Sequence, residues 1–422
     1  MRLRSKRHDH LSWKGNLEQT RYGWLRLTPA YSVHLVAELL DVHATPASRV
    51  LDPFCGTGTT ALVCAERGIA CDTTDINPFL LWLARAKTRT YTPADLVGLA
   101  RGAAEVAQAM CATDEAWAPP LHQIEKWWDE ATLRTLARAM AAIRALEAGK
   151  RASVAAADLL RVAFCRTMIE RANVSFGHQS MSFKKPVAST RSRWPEDGQG
   201  VVEAWRRAVA LIAGGAASRV AKRPRPILCD ARALPTELEP DRYDCVVTSP
   251  PYPNRMSYIR ELRPYMYWLG YLGDGRAAGE LDWQAIGGTW GCATSNVARW
   301  QPEVPTEIPH RGFPALLKRI AGQGAKHSGL LSRYVHKYFH DMVAHVAGLF
   351  AVVAPGGTIH YVVGNSKFYD AMLPVERIFA SLFAAAGFDE TNVRVIRKRT
   401  SKKELYEFVV SARKPPRRAR KR

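Results

Sequence analysis

The chain has 422 residues, a formal net charge of +21 and a pI near 9.8. This length can hold a full catalytic domain with one or two additions, and the excess of lysine and arginine favours an anionic partner such as nucleic acid. Both ends are basic: Arg2, Arg4, Lys6 and Arg7 at the start, and the tail 414–422. We expect these ends to be disordered arms that contact the phosphate backbone; the alternative is that they are merely solvated termini.

The sequence predicts neither a signal peptide nor a membrane span, because no sustained apolar run follows the basic start. The eight cysteines include no Cys-x-x-Cys pair. Five of them lie in or beside predicted core elements, which indicates reduced thiols in a cytoplasmic protein: Cys55, Cys64, Cys71, Cys229 and Cys245. His336 and His340 share a helix face without a suitably placed glutamate, so we predict a packing or surface role and no metal site.

The first predicted strand, 50–52, runs into Pro53-Phe54-Cys55-Gly56-Thr57-Gly58-Thr59-Thr60, and a helical pattern follows at 61–68. Strand, glycine turn and helix form a nucleotide-type cradle. Gly56 and Gly58 let the backbone approach a ligand, and free N–H groups at the helix start face it. The spacing differs from Gly-x-Gly-x-x-Gly, which disfavours NAD.

A second short strand, 69–75, ends in an acidic residue. Doubly wound folds place a carboxylate on ribose hydroxyls at about this offset, roughly 20 residues after the glycine turn. We therefore predict Asp75 as a ribose ligand.

Residues 92–222 separate this strand from the next and are rich in alanine. Apolar stripes at helical spacing, in 133–146 and 155–169, predict packed helices. The segment 173–186 that follows is polar, aromatic and basic. We predict that it contacts nucleic acid through Asn173, His178, Lys184 and Lys185; the alternative is a flexible surface loop.

The run 243–247 predicts a buried strand, and Thr248-Ser249-Pro250-Pro251-Tyr252 follows it. Two adjacent prolines cannot continue a parallel strand, so the strand must end in a rigid loop. The loop presents carbonyl oxygens, a serine hydroxyl and an aromatic face, which suits gripping a planar ring that carries an amino group. The alternative is an ordinary proline-stiffened turn.

Two further features follow this loop. We expect Asn254, Arg255 and Arg260 to contact nucleic acid. The segment 273–331 is rich in glycine, tryptophan and proline and has little periodicity, so we predict an irregular insertion. It is a candidate target-recognition element that covers a displaced base or enters a groove; the alternative is a lid or a packed surface excursion.

The remaining elements complete an α/β fold. The patterns predict a helix, a buried strand, a second helix and two final strands, at 334–353, 358–366, 374–386, 392–397 and 405–410. We therefore predict a doubly wound, mostly parallel, seven-stranded Rossmann-like sheet with an antiparallel terminal hairpin.

Two of these motifs resemble those of a known family. Asp52-Pro53-Phe54-Cys55-Gly56-Thr57-Gly58 resembles the S-adenosylmethionine motif of amino-methyltransferases. Ser249-Pro250-Pro251-Tyr252 resembles their catalytic motif in the form typical of DNA cytosine-N4 methyltransferases. The segment 27–36 is similar to the stretch that touches the methionine part of the cofactor, and Asp230, in the predicted strand 227–231, matches the acid that meets adenine.

The resemblance implies S-adenosyl-L-methionine as the cofactor and catalysis by Ser249, Pro250, Pro251 and Tyr252. The cofactor-binding residues that we predict are Pro29, Tyr31, Asp52, Phe54, Cys55, Gly56, Gly58, Thr59, Asp75, Ile76, Asn77, Asp230 and Ala231.

We therefore predict a site-specific DNA methyltransferase that acts on the N4 amine of a flipped cytosine, in restriction-modification or a similar defence. DNA is the expected substrate, a separate restriction endonuclease is an expected partner, and the expected location is the nucleoid in the cytoplasm of a bacterium or archaeon. In many cytosine-N4 enzymes the catalytic half comes first, whereas here the cofactor half does.

Three alternatives stay open. Adenine-N6 methylation uses the same grip on an amino group, although those enzymes usually carry Asp or Asn where Ser249 stands. RNA methyltransferases tend to carry Asp-Pro-Pro-Tyr. A catalytically inactive methyltransferase fold that binds nucleic acid is also compatible with the charge.

The predicted organisation has six segments. They are an N-terminal arm with the cofactor-binding half (1–91), a helical insertion (92–222), the catalytic-loop part (223–272), the candidate target-recognition or lid insertion (273–331), the C-terminal half of the catalytic domain (332–413) and the basic tail (414–422).

Overall fold

The structure is a computed structural model. It describes residues 11, 15–16, 20–27, 30–112, 116–175, 181–184, 199–304, 306–324, 327–399 and 404–417. Three predicted site residues lie outside the described residues: Pro29, His178 and Lys185. The basic residues at the start and the last five residues also lie outside them.

The described strands form one large sheet and two small hairpins. They are β1 (Arg49–Asp52), β2 (Ala70–Asp75), β3 (Val174–Ser175), β4 (Ser182–Phe183), β5 (Arg225–Leu228), β6 (Tyr243–Thr248), β7 (Val353–Gly364), β8 (Ser366–Phe368), β9 (Ala371–Leu373), β10 (Asp389–Lys398) and β11 (Tyr406–Arg413). The large sheet has seven strands in the order β10-β11-β7-β6-β1-β2-β5. Among these described strands, only β11 runs in the direction opposite to the other six. The predicted mostly parallel sheet with a terminal hairpin is confirmed.

The described helices surround this sheet or belong to the insertions. They are α1 (Val33–His43), α2 (Thr59–Arg67), α3 (Pro78–Thr88), α4 (Pro93–Met110), α5 (Glu130–Ala148), α6 (Val154–Glu170), α7 (Gln199–Ala216), α8 (Tyr258–Trp268), α9 (Gly275–Gln284), α10 (Cys292–Arg299), α11 (Phe313–Ala321), α12 (Ser328–Val352) and α13 (Val375–Ala385). The helix predicted from residue 334 begins six residues earlier, at Ser328. The third strand in chain order within the sheet, β5, ends at Leu228, so Asp230 lies beyond it.

Both faces of the sheet are covered, which explains its continuous apolar strands. Successive residues of a strand point to opposite faces. In β1, Val50 packs in the layer formed with α1 and α2, whereas Leu51 packs in the layer formed with α12 and α13. Both side chains have no exposed surface. The carboxyl ends of β1 and β6 therefore lie side by side between the two helical layers that cover the sheet.

The alanine-rich segment between β2 and β5 forms the helices α4 to α7, as predicted. These helices share a core with the end of the catalytic part, including α8. The packing is close, because a Cβ atom on Gly102 of α4 would lie 2.9 Å from the Leu160 side chain of α6. Buried tryptophans contribute to the core, and Trp128 donates its ring N–H to the Met168 carbonyl at 2.8 Å.

The prediction that 273–331 is irregular was wrong, since α9, α10 and α11 lie within it. These helices are short, and a buried carboxylate fixes their connections. Asp282 accepts hydrogen bonds from the Ser257 hydroxyl and from the N–H groups of Thr289 and Trp290, the latter two at 2.8 and 2.7 Å. A Cβ atom on Gly288 would lie 1.7 Å from the Asp282 carbonyl oxygen. The turn after α9 thus requires glycine.

The five cysteines expected in or beside the core are buried and free. The Trp300 ring packs edge-on against both His336 and His340, with ring centroids 5.3 and 5.4 Å apart. These histidines therefore have the predicted packing role. No helix among the described residues combines the length and apolar character needed to cross a membrane.

Candidate active site

The glycine turn between β1 and α2 has a backbone geometry that needs glycine. Gly56 and Gly58 have φ angles of 50° and 74°, where other residues are strained. A Cβ atom on Gly58 would also lie 3.1 Å from the Cβ of Ala84 in α3. The turn brings the start of α2, with its free N–H groups, to the carboxyl end of β1.

Asp75 ends β2 beside this turn. Its Oδ2 accepts a hydrogen bond from the Gly56 N–H at 3.1 Å, and its Oδ1 accepts one from the Asn77 N–H at 2.9 Å. Burial raises the pKa of Asp75 to about 6, while the backbone hydrogen bonds act in the opposite direction. The acid that we predict as a ribose ligand is therefore in direct contact with the glycine turn.

Asp52 is fully buried at the end of β1. Its Oδ1 accepts from the Thr248 hydroxyl at 2.6 Å and from the Phe54 N–H at 3.2 Å. Its Oδ2 has no hydrogen-bond partner among the described residues. Burial raises the pKa of Asp52 to about 7. Because Thr248 directly precedes Ser249, this carboxyl joins the glycine turn to the proline loop.

The loop 249–252 leaves the sheet at the end of β6, where β1 and β7 flank it. The Ser249 hydroxyl donates to the Val362 carbonyl of β7 at 3.0 Å. Its lone pairs remain available as acceptors. Pro250 is buried, and the Pro251 carbonyl accepts from the Tyr338 hydroxyl of α12 at 2.7 Å. The loop is thus held from the sheet on one side and from α12 on the other.

The ring of Tyr252 is fixed by residues from the far end of the chain. Its hydroxyl donates to Glu407 Oε1 at 2.9 Å, and Arg397 donates to the other oxygen of that carboxylate at 2.6 Å. The Arg399 guanidinium carbon lies 5.5 Å from the ring centroid. A Cβ atom on Gly364 would lie 2.9 Å from Cε2 of Tyr252. Burial raises the pKa of Tyr252 well above its usual value, so the phenol keeps its proton and donates.

Asp230 lies just beyond β5 and is paired with Arg232. The guanidinium donates to both carboxylate oxygens at distances between 2.6 and 3.0 Å. Partial burial works against ionisation, but the hydrogen bonds from Arg232 lower the pKa of Asp230 below its usual range. Arg232 also donates to the Gln284 carbonyl of α9 at 2.8 Å. The predicted adenine ligand is therefore tied to the insertion 273–331.

A buried histidine supports the neighbouring Ala231. The Ala231 carbonyl accepts from Nδ1 of His345 at 2.8 Å, and His345 Nε2 accepts from the Tyr361 hydroxyl at 2.7 Å. Burial lowers the pKa of His345 to about 4, so the imidazole is neutral. The Phe54 ring packs against it with ring centroids 4.8 Å apart. Phe54 and Ala231, both predicted to bind the cofactor, are thus brought together.

The other predicted cofactor residues line the glycine turn, and most of their polar groups already have partners. Tyr31 is hydrogen-bonded to the Thr60 hydroxyl and donates to the Val247 carbonyl at 3.3 Å. The side chain of Asn77 caps α3 by accepting from the Phe79 N–H at 3.0 Å. The remaining three are the buried Cys55 and Thr59 and the half-buried Ile76. These contacts fix the shape of the turn.

The residues after the loop that we predict to contact nucleic acid lie on a backbone that is fixed by hydrogen bonds. Arg255 and Arg260 are exposed, and Asn254 is half-buried. Arg255 has a φ angle of 65°; its N–H donates to the Tyr334 hydroxyl at 3.4 Å, and its carbonyl accepts from the Thr289 hydroxyl at 3.3 Å. Asn173 and Lys184 are also exposed and flank the β3–β4 hairpin.

Lys87 is a site residue that the sequence reasoning missed. It is 2% exposed, and its ammonium donates to the Thr57 carbonyl in the glycine turn at 3.1 Å. Burial lowers the pKa of Lys87 to about 8. Because lysine is rarely buried, its burial was not expected. The sequence did offer one signal: Lys87 lies four residues after the apolar Leu83 and therefore on the same face of α3.

The sheet, the glycine turn after β1, the acid after β2 and the proline loop after β6 together form a Rossmann-like α/β fold whose motifs resemble those of the S-adenosylmethionine-dependent methyltransferases. S-adenosyl-L-methionine is the cofactor of that class, and the chain resembles its DNA methyltransferases.

Similarities to known proteins lie in the same class. The chain is 22% identical over 424 residues to the Type II methyltransferase M.AvaI of Nostoc sp., a match that covers 92% of this chain and 83% of that protein. It is 26% identical over 192 residues to the Type II methyltransferase M.BsoBI of Geobacillus stearothermophilus, covering 40% of this chain and 35% of that one. No protein-family model matches the chain.

Solved structures also align with the chain, at low TM-scores. A protein of Thermus thermophilus, described as a putative DNA modification methylase and complexed with S-adenosyl-L-methionine, has 17% identity and a TM-score of 0.23, covering 44% of this chain and 53% of its own. The rRNA methyltransferase aviRa of Streptomyces viridochromogenes has 11% identity and a TM-score of 0.28, covering 95% and 96%.

Proposed function

We propose that the protein transfers a methyl group from S-adenosyl-L-methionine to the N4 amine of cytosine in DNA. The hydrogen bond of 2.6 Å between Thr248 and Asp52 carries the proposal, because it joins the glycine turn to the Ser249 loop. Both lie at the carboxyl ends of β1 and β6, where the strand order reverses direction. Open α/β sheets bind their ligands at that point.

The residues present fit the cofactor. A buried carboxylate oxygen without a partner among the described residues, Asp52 Oδ2, suits the α-ammonium group of S-adenosyl-L-methionine. Asp75 would accept from the ribose hydroxyls, and Phe54 and Ala231 would flank the adenine. When bound, the cofactor supplies an electrophilic methyl group on a sulfonium. Asp230 would contribute its remaining lone pairs, since Arg232 already occupies part of its acceptor capacity.

The loop 249–252 would make the target amine nucleophilic. The lone pair of an exocyclic amine is delocalised into its ring, so a site has to localise that pair and aim it. Ser249 donates to Val362 and can therefore accept one amino hydrogen, while the Pro250 carbonyl accepts the other. Two acceptors would pyramidalise the nitrogen and point its lone pair at the methyl group. A strong base is not needed, since the nitrogen becomes acidic as it is methylated, and its proton can pass to water.

Tyr252 would stack on the target ring. Its hydroxyl is anchored by Glu407, which fixes the plane against which a base lies. A base in a duplex cannot reach this position while stacked, so the proposal includes base flipping. The net charge of +21 would attract the DNA.

We further propose a role in restriction-modification, with DNA as the substrate and a separate endonuclease of the same specificity. The names of the relatives, Type II methyltransferases, support this role. Adenine-N6 methylation is the second candidate. The proposed cofactor half precedes the proposed catalytic half here, unlike in many cytosine-N4 enzymes, and Ser249 is the main residue that favours cytosine.

Replacement of the gripping residues tests the proposed chemistry. Ser249→Ala and Tyr252→Ala should each lower methyl transfer to DNA by about 100-fold or more, since each removes an interaction aimed at the reacting amine. Calorimetry should give cofactor affinities close to that of the unaltered protein. Ser295→Ala, at an exposed serine of α10, is the matched control and should retain full activity.

Two results would overturn parts of this proposal. Activity that survives both loop substitutions would show that the catalytic assignment is wrong. An unaltered protein that binds no S-adenosyl-L-methionine would favour an inactive fold that only binds nucleic acid.

A further inference from the structure

We infer that the β3–β4 hairpin reads base edges in the major groove of the substrate DNA. The inference rests on the proposed function and assigns target recognition to the first insertion instead of the segment 273–331.

The register of the hairpin gives it one polar face. Val174 pairs with Phe183 and Ser175 pairs with Ser182, and the Lys184 N–H extends the ladder by donating to the Asn173 carbonyl at 3.2 Å. Because side chains alternate across a strand, one face carries an amide, two hydroxyls and an ammonium group, from Asn173, Ser175, Ser182 and Lys184. Three of these four residues are exposed; Ser175 is half-buried.

The opposite face attaches the hairpin to the protein. Val174 is buried in the core of the helical insertion. The Phe183 ring packs edge-on against Trp127 with ring centroids 5.2 Å apart, and the Asn173 N–H donates to the Trp127 carbonyl at 2.7 Å. Phe183 itself stays 39% exposed, and the Asn173 amide also donates to the Lys126 carbonyl at 3.4 Å. These contacts hold the hairpin against the helical insertion, while Ser182 and Lys184 on its polar face are exposed.

The hairpin is also fixed to the helix that follows the catalytic loop. The Met181 N–H donates to Glu261 Oε2 of α8 at 2.6 Å, and α8 begins six residues after Tyr252. On the same helix, the Arg263 guanidinium lies between Trp127 and Trp290, at 5.2 and 5.3 Å from their ring centroids. A base contact made by the hairpin would thus position the DNA relative to the site of methyl transfer.

This arrangement matches the shape and chemistry of duplex DNA. The major groove admits a two-stranded ribbon, and amide, hydroxyl and ammonium groups are the partners that base edges take there. The exposed Arg260, adjacent to Glu261 in the chain, is placed to contact phosphate.

The segment 273–331 is packed in a different way. Its helices lie against α12, with the Phe313 ring 5.4 Å from that of Phe339 and Trp300 against two histidines. Arg232 links its α9 to the candidate adenine ligand Asp230. These contacts suit a segment that forms a wall of the proposed cofactor site.

The test compares sequence preference rather than activity alone. Sequencing of plasmid DNA methylated by the unaltered protein defines its preferred site. The double variant Ser182→Ala with Lys184→Ala should then lose about 10-fold or more of the preference for this site over single-base variants, because each lost base contact removes discrimination. Lys222→Ala, at an exposed lysine at the end of the same insertion, should keep the full preference.

Binding of fluorescent duplexes that carry the preferred or an altered site gives the same comparison without turnover, and cofactor calorimetry checks the fold. An unchanged preference would overturn the inference, and so would an equal loss of affinity for every duplex, which marks a phosphate contact. If the unaltered protein transfers no methyl group to DNA, the proposed function itself fails.

Discussion

Gly364, at the end of β7, allows the chain to pass close to the ring of Tyr252. A Cβ atom there would lie 2.9 Å from Cε2 of Tyr252 and 2.7 Å from Nη1 of Arg399, whereas carbon atoms in contact are usually about 3.5–4.0 Å apart. The substitution Gly364→Ala therefore has to move the ring by about 0.6 Å or more. Glu407 holds the hydroxyl end of the ring, so the movement tilts the surface on which the base would stack.

A displacement of this size at a reacting centre costs up to about 100-fold in rate. We therefore expect Gly364→Ala to lower single-turnover methyl transfer about 10- to 100-fold at saturating cofactor, with an unchanged cofactor affinity by calorimetry. Gly273→Ala is the control, because nothing lies within 4 Å of a Cβ atom at that position. Equal rates for the two variants would show that methyl transfer does not depend on the position of the Tyr252 ring.

Three further predictions concern single side chains. Tyr252→Phe should lower methyl transfer about 10-fold, less than Tyr252→Ala, because it keeps the stacking surface but loses the Glu407 anchor; a rate equal to that of the alanine variant would contradict this. Asp52, whose pKa is about 7 against an ordinary value of 3.8, contributes stability that is lost as the pH rises from about 4 to 7, whereas the neutral His345, with a pKa of about 4, contributes stability that is gained over much of the same range. In urea denaturation at several pH values, the free energy of unfolding of Asp52→Asn should therefore fall less, or rise more, between pH 4 and 7 than that of the unaltered protein; identical pH profiles would place the proton elsewhere. His345→Leu should cost about 2–4 kcal/mol of unfolding free energy and weaken cofactor binding in calorimetry, since it leaves two buried polar partners unsatisfied; unfolding and binding like those of the unaltered protein would contradict this.

The strands and the glycine turn of the first half of the sheet could be predicted from the sequence because their determinants are local. The φ angles of Gly56 and Gly58 demand glycine at the positions where it occurs, and Asp75 meets Gly56 across 19 residues of chain. The two adjacent prolines correctly predicted the end of β6. The order of the elements and the shape of the turn could therefore be predicted, because short connections and backbone chemistry determine both.

The partners that hold the proposed catalytic loop could not be predicted in this way. Glu407 is 155 residues from Tyr252, and a glutamate in a strand gives no sign of which hydroxyl it will meet. His345 likewise contacts Ala231 across 114 residues. Such pairs are set by the packing of helices and strands that are distant in the chain, and periodicity does not specify them.

The helices of 273–331 could not be predicted for another reason. They are short and owe their ends to tertiary contacts, such as those of the buried Asp282 with Ser257 and Trp290. Tertiary packing overrides weak local preference in segments of this length. The glycine and tryptophan content that suggested irregular structure marks tight turns and packed rings instead.

Identification of the methylated nucleoside shows which amine the protein methylates. The protein is incubated with isotope-labelled S-adenosyl-L-methionine and DNA, the DNA is digested to nucleosides, and the labelled product is identified by mass. We expect N4-methylcytosine, formed when Ser249 and Pro250 hold the cytosine amine. N6-methyladenine would contradict the target base, and label that appears only in RNA would contradict the proposed substrate.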